Sequence, residues 1–137
     1  MSQENVEIVR AVNEAWIAGD LQRTWDSYDP DVVMRTVEEW PEAGPYFGRE
    51  AVIRFFEQLR DTWEAVELET ISLIDAGDRV VGQYRWHSTG PGPDMNLEIT
   101  QVVTLRQGKM VMFEYFRHHS DALEAVGLLE QDAHADS

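Results

Sequence analysis

The chain has no cysteine, and basic residues are scarce: 11 Lys and Arg stand against 26 Asp and Glu, for a net charge of −15. Without cysteine there is no disulfide framework, no thiol nucleophile and no thiolate-ligated zinc. Phosphate backbones are held by clustered Lys and Arg, so this balance excludes nucleic acid as a partner. It excludes an anionic membrane surface for the same reason, and it serves solubility. No apolar run reaches the roughly 18 residues that a membrane-spanning helix needs. Met1 to Asp20 is acidic and amphipathic rather than built like a signal peptide, so a cytoplasmic location is expected. Neither HExxH, CxxC nor a phosphate-cradling glycine loop occurs, and neither a metal nor a nucleotide cofactor is expected.

What the chain does have is core material. Hydrophobic residues make up 43% of its 137 residues and there are five tryptophans, enough for one domain with a buried interior. Residues 1–130 read as that domain and 131–137 as a polar tail.

The rest is organised around Asp31 to Phe56, DVVMRTVEEWPEAGPYFGREAVIRFF. It reads as a short strand over Val32 to Val37, a loop rich in proline and glycine from Glu39 to Gly48, and an amphipathic helix opening after Gly48. That helix is predicted over Arg49 to Trp63, with Val52, Phe55, Phe56, Leu59 and Trp63 on one face. Ahead of it, Ser2 can cap a first helix with the stripe Val6, Val9, Val12 and Trp16, stopped by Gly19. Asp20 can cap a second helix carrying Leu21, Thr24, Trp25 and Tyr28, which Pro30 ends.

After Glu64 the apolar period changes to two. Val66 to Ile74 and Arg79 to Ser88 read as strands joined through Ala76-Gly77-Asp78. In the second, Val80, Gly82, Tyr84 and Trp86 alternate with Val81, Gln83, Arg85 and His87, the first set facing inward. A loop over Thr89 to Asn96 follows, then strands Leu97 to Leu105 and Lys109 to Arg117 about Gln107-Gly108. Ser120 caps a last helix ended by Gly127. The order α-α-β-α-β-β-β-β-α predicts an α+β domain with a curved antiparallel sheet and helices enclosing an apolar pocket.

Four segments carry a resemblance: WIAGDLQRTWDSYDPDV, GPYFGREAVIRFF, TLRQGKMVMF and DALEAVGL. In their order and spacing the chain resembles the NTF2-like superfamily, and more narrowly its SnoaL-like branch, from Val6 to Leu129. The resemblance implies a cystatin-like cone, often dimeric through the outer sheet face, in a group that hosts isomerases, polyketide cyclases, hydrolases, dehydratases and non-enzymes. Fold alone therefore does not choose among them. In the ketosteroid-isomerase branch a carboxylate base precedes the third helix, and TVEEWP places Glu39 there. The branch's two oxyanion donors fall on Val12 and Gln101. One donor is lost and the other is a neutral amide, so steroid isomerisation is not expected.

Glu39 as base with Gln101 as orienting amide is thus the catalytic pair to test, against a plain solvated Glu38-Glu39 loop. Arg35 shares the face of Glu39 if the strand stays regular, and lies outside if parity reverses near Trp40. Tyr28, Trp40, Tyr46, Phe55, Tyr84, Trp86, Phe113 and Tyr115 are the candidate lining for a flat small molecule, with core packing the competing role, especially for Phe55 and Phe113. Adjacent His118 and His119 point to opposite faces of a strand and cannot share one ion, and His87 falls outward. Val102, Met110 and Met112 on the outer sheet face suggest a homodimer interface. The leading reading is a small-molecule pocket protein, possible chemistry being cofactor-free acid–base catalysis. The alternative is a non-catalytic binding or dimerisation module.

Overall fold

A computed structural model describes residues 2–35 and 45–128. Helix α1 (Ser2–Ala18) buries Val6, Val9, Val12 and Trp16, the predicted stripe. Gly19 closes it at φ 82°, a conformation that a residue bearing a Cβ rarely adopts. Asp20 caps α2 (Leu21–Asp26) by accepting from the Arg23 backbone N–H at 3.3 Å. Then follow β1 (Tyr28–Arg35), β2 (Tyr46–Phe47), α3 (Arg49–Asp61), β3 (Ala65–Ala76), β4 (Arg79–Thr89), β5 (Met95–Arg106), β6 (Lys109–Phe116) and α4 (His119–Ala125).

Among the described residues the strands form one open sheet in the order β2-β1-β6-β5-β4-β3. Helices α1 and α3 pack on its inner face, where Val6, Val9, Val32, Met34, Val52, Phe56, Val80, Val103, Leu105 and Phe113 form the main core. A smaller cluster on the outer face joins Val81 and Val102 to Ala122 of α4. No described helix is long and apolar enough to cross a membrane.

Several expectations need correcting. Helix α2 stops at Asp26, and Tyr28 opens a strand instead of continuing that helix. Pro30 sits inside β1, where the pairing to β6 slips between Tyr28 and Val33. Proline is tolerated there because the slip leaves no ladder bond for it to donate. The sheet is antiparallel except between its second and third strands, where β1 runs parallel to β6. The short strand β2 adds a pairing inside the segment read as loop, opposite Val33 and Met34. Helix α3 ends at Asp61, short of Trp63, and α4 begins at His119, with His118 rather than Ser120 at the N-cap position.

The outer face also differs. A register shift between Thr104 and Leu105 leaves Val111 as the extra residue of β6. Parity reverses there, so Met110 points inward and is 1% exposed, while Met112 stays outward. Val102 is outward but covered by α4. Two of the three residues behind the dimer expectation are therefore buried within this chain.

Candidate functional site

The space between sheet and helices is a cavity of about 450 Å³, a size typical of small-molecule sites. Helix α1 contributes Val12, Asn13 and Trp16, and α3 contributes Phe55, Phe56 and Leu59. The sheet contributes Tyr28, Tyr84, Trp86, Leu97, Ile99, Gln101, Met110, Phe113 and Tyr115. Tyr28, Tyr84, Met110 and Phe113 are buried, whereas Thr62 and Met95, also in the lining, are exposed. The cavity thus has a closed phenolic end and an open apolar end.

Strand alternation explains the closed end. Gly82 pairs with Gln101, Tyr84 with Ile99, and Gln101 with Tyr115, so these side chains share the inner face. Asn13 donates through Nδ2 to the Tyr84 hydroxyl at 2.8 Å, and Gln101 donates through Nε2 to the Tyr115 hydroxyl at 2.7 Å. Burial pushes the Tyr84 phenol up to about 12, against a smaller lowering by Asn13. Burial likewise raises Tyr28 and Tyr115. Ionised Tyr115 would repel charge on Tyr28, and ionised Tyr84 would repel charge on Tyr115, which marks the three hydroxyls as neighbours. At neutral pH all three phenols keep their protons. An amide donating into a phenol oxygen also strengthens that phenol as a donor.

Other polar groups are largely satisfied. Trp86 donates to Ser88 Oγ at 3.0 Å, and Thr24 to the Asp20 carbonyl at 3.0 Å. The Trp16 indole N–H is buried with no hydrogen-bond partner among the described residues. Trp16 lies 6.1 Å from Trp86, centroid to centroid, and beneath the Arg60 guanidinium at 4.6 Å.

The sequence-nominated residues separate into three groups. Tyr28, Phe55, Tyr84, Trp86, Gln101, Phe113 and Tyr115 come together around the cavity. Tyr46 packs on Phe55 at 5.0 Å outside the described lining, and Arg35 lies on the outer face, ion-paired with Glu114. Glu39 and Trp40 fall outside the described residues. Asn13 joins them from outside the sequence-based candidates; it stands four residues after Val9 on the apolar face of α1, a polar residue where packing wants none. Met110, expected on the outer face, joins the lining because the Val111 bulge turns it inward.

Away from the cavity, His87 meets Asn96 at 2.6 Å and His119 meets Thr100 at 3.2 Å. No group of three or more His, Cys, Asp or Glu among the described residues is placed to hold a metal ion.

Residues 9–113 match the family model of the SnoaL-like domain. No curated protein matches the chain. Among solved structures it is similar to Bal32a from a soil-derived mobile gene cassette, at 20% identity and TM-score 0.78, covering 84% of this chain and 89% of that one. It is similar to an NTF2-like protein of unknown function from Burkholderia pseudomallei K96243, at 23% identity and TM-score 0.75, covering 93% and 99%. It is also similar to TerC co-crystallised with polyporic acid, at 21% identity and TM-score 0.73, covering 90% and 98%.

Proposed function

Because the chain belongs to the SnoaL-like domain family, a fold whose inner space is a small-molecule pocket, we propose that it binds a flat, largely apolar aromatic compound and performs cofactor-free acid–base chemistry next to a carbonyl. The observation that carries this reading is the closed end of the cavity. There, protonated Tyr84, backed by Asn13 and flanked by the Tyr115–Gln101 pair, offers a neutral donor to an oxygen that gains charge as a proton leaves the adjacent carbon. The aromatic walls supply apolar contact for the ring system. Glu39 is the proposed proton acceptor, on its place before the third helix, with Gln101 holding the Tyr115 phenol that flanks the donor.

A second reading, non-catalytic ligand binding, is favoured by the lining itself: among the described residues it holds no carboxylate or imidazole. Exchange of α-protons for solvent deuterium in aromatic ketones, followed by NMR, separates the two. The catalytic reading expects exchange with the wild type, a large loss in Glu39→Gln, and a smaller loss in Gln101→Leu. Ketone binding without any accelerated exchange would leave the binding role standing in its place.

A further inference from the structure

We propose that Met95 is an oxidation site at the mouth of the cavity: a peroxide converts its thioether to the sulfoxide, and the pocket then holds apolar ligands less tightly. The inference rests on the pocket reading above and adds a regulation of that same site.

Strand alternation sets the placement. Along β5, Met95, Leu97, Ile99 and Gln101 share the inner face, and all four line the cavity. Their partners on β4 are Ser88, Trp86, Tyr84 and Gly82, in that order. Six strand positions separate Met95 from Gln101, about 20 Å at the usual rise. Gln101 belongs to the phenolic end, so Met95 stands at the open one. Exposure follows the same gradient: Ile99 is buried, Leu97 half-buried and Met95 42% exposed. The chain between α3 and β3 reaches this end too, where the Glu64 backbone N–H donates to the Thr89 carbonyl at 3.0 Å.

The chain has no cysteine, so a peroxide meets no thiol and reacts at thioethers instead. Among the described methionines only Met95 is exposed: Met34 and Met110 are sealed in the core, and Met112 is half-buried. In the step, a sulfur lone pair attacks one peroxide oxygen and the O–O bond breaks. The departing oxygen takes up the proton of the transferred one and leaves as water. Sulfur loses two electrons and the peroxide gains them.

The product carries a polar, chiral group where an apolar side chain stood. Without a ligand, water at the mouth solvates the new oxygen. An apolar ring seated against it displaces that water and offers no hydrogen bond in return, a cost the thioether does not carry. The favourable contact between a thioether and an aromatic ring is lost as well. Both effects lower affinity.

The test treats the whole chain with dilute hydrogen peroxide at neutral pH and locates the added oxygen by peptide mass spectrometry. Met95 is expected to react ahead of Met34, Met110 and Met112; equal or earlier oxidation of any of these three overturns the assignment. Affinity for acetylnaphthalene, measured by calorimetry, is expected to fall by about fivefold or more. It should return when the methionine sulfoxide reductases for both epimers are supplied. Met95→Leu should keep its affinity through the same treatment. Complete oxidation of Met95 with unchanged affinity overturns this inference and leaves the pocket reading intact. A loss that persists in Met95→Leu, or that the reductases do not reverse, belongs to another residue and overturns it as well. If acetylnaphthalene fails to bind even the untreated protein, the pocket reading falls and this inference with it.

Discussion

Tyr84 lies back across Gly82, its neighbour but one on β4, so closely that a Cβ built on Gly82 would stand 2.4 Å from the Tyr84 hydroxyl and 2.7 Å from its ring. The glycine is what lets the phenol lie along its own strand and reach Asn13 on α1. Gly82→Ala is expected to push the ring into the cavity and break that bond. Glycine-to-alanine replacement stabilises by under about 1 kcal/mol through the unfolded chain, whereas overpacking costs about 1–3 kcal/mol, so the clash wins. Urea denaturation should show net destabilisation, and ligand affinity should fall. Because the introduced methyl would meet the Tyr84 ring directly, a double-mutant cycle with Tyr84→Leu should be strongly non-additive.

Alkaline pH should unfold the protein through its buried phenols. Tyr84 ionises near 10 in the unfolded chain and near 12 when folded. Its folded-state preference for the proton is fully expressed below pH 10 and is lost as pH rises from about 10 to 12, by roughly 2–3 kcal/mol. Tyr28 and Tyr115 are shifted in the same direction. Tyrosinate absorbance from these three should therefore appear together with loss of the far-ultraviolet helix signal, not ahead of it. Independent titration with the fold intact would count against their burial.

Gln101→Leu removes the donor to the Tyr115 oxygen and leaves that buried hydroxyl less well satisfied. A loss of about 1–2 kcal/mol is expected in chemical denaturation. Gln101 lowers the Tyr115 phenol, so its removal should raise that phenol further.

Arg35→Ala supplies the contrasting case. Its side chain is 56% exposed and paired with Glu114 outside the cavity. Such surface pairs contribute about 0–1 kcal/mol, and ligand affinity by fluorescence titration should stay at the wild-type value. A large affinity loss would return Arg35 to the site.

Arg60→Met should cost about 1 kcal/mol, from its bond to the Trp16 carbonyl and its stacking on the indole. Thermal melting measures the loss. A change in tryptophan emission would report the newly uncovered ring.

Local patterns made much of this legible before any coordinates. The stripe through Val52 and Phe56 marks α3, and the alternation of Tyr84 and Trp86 with Gln83 and Arg85 marks the inner face of β4, because each pattern is written in residues two to four apart. Non-local facts left no such trace. Nothing in Tyr28 to Arg35 says that its partner is β6 or that the pairing is parallel. A bulge at Val111 cannot be read from alternation that it interrupts, and it carried Met110 to the wrong face. Asn13 carries no local signal either, because an amide on a helix looks solvated until Tyr84, 71 residues away, is folded against it.

The parallel β1–β6 pairing governs when this protein can become itself. Arg35 and Glu114, opposed across it, are 79 positions apart in the chain. Among the described residues, β1 has besides β6 only the two residues of β2 to pair with. During synthesis the first strand must wait, largely unpaired, until almost the whole chain has emerged. Closing so long a loop is slow, so this parallel seam is the last part of the sheet to form and the point at which a truncated chain would fail.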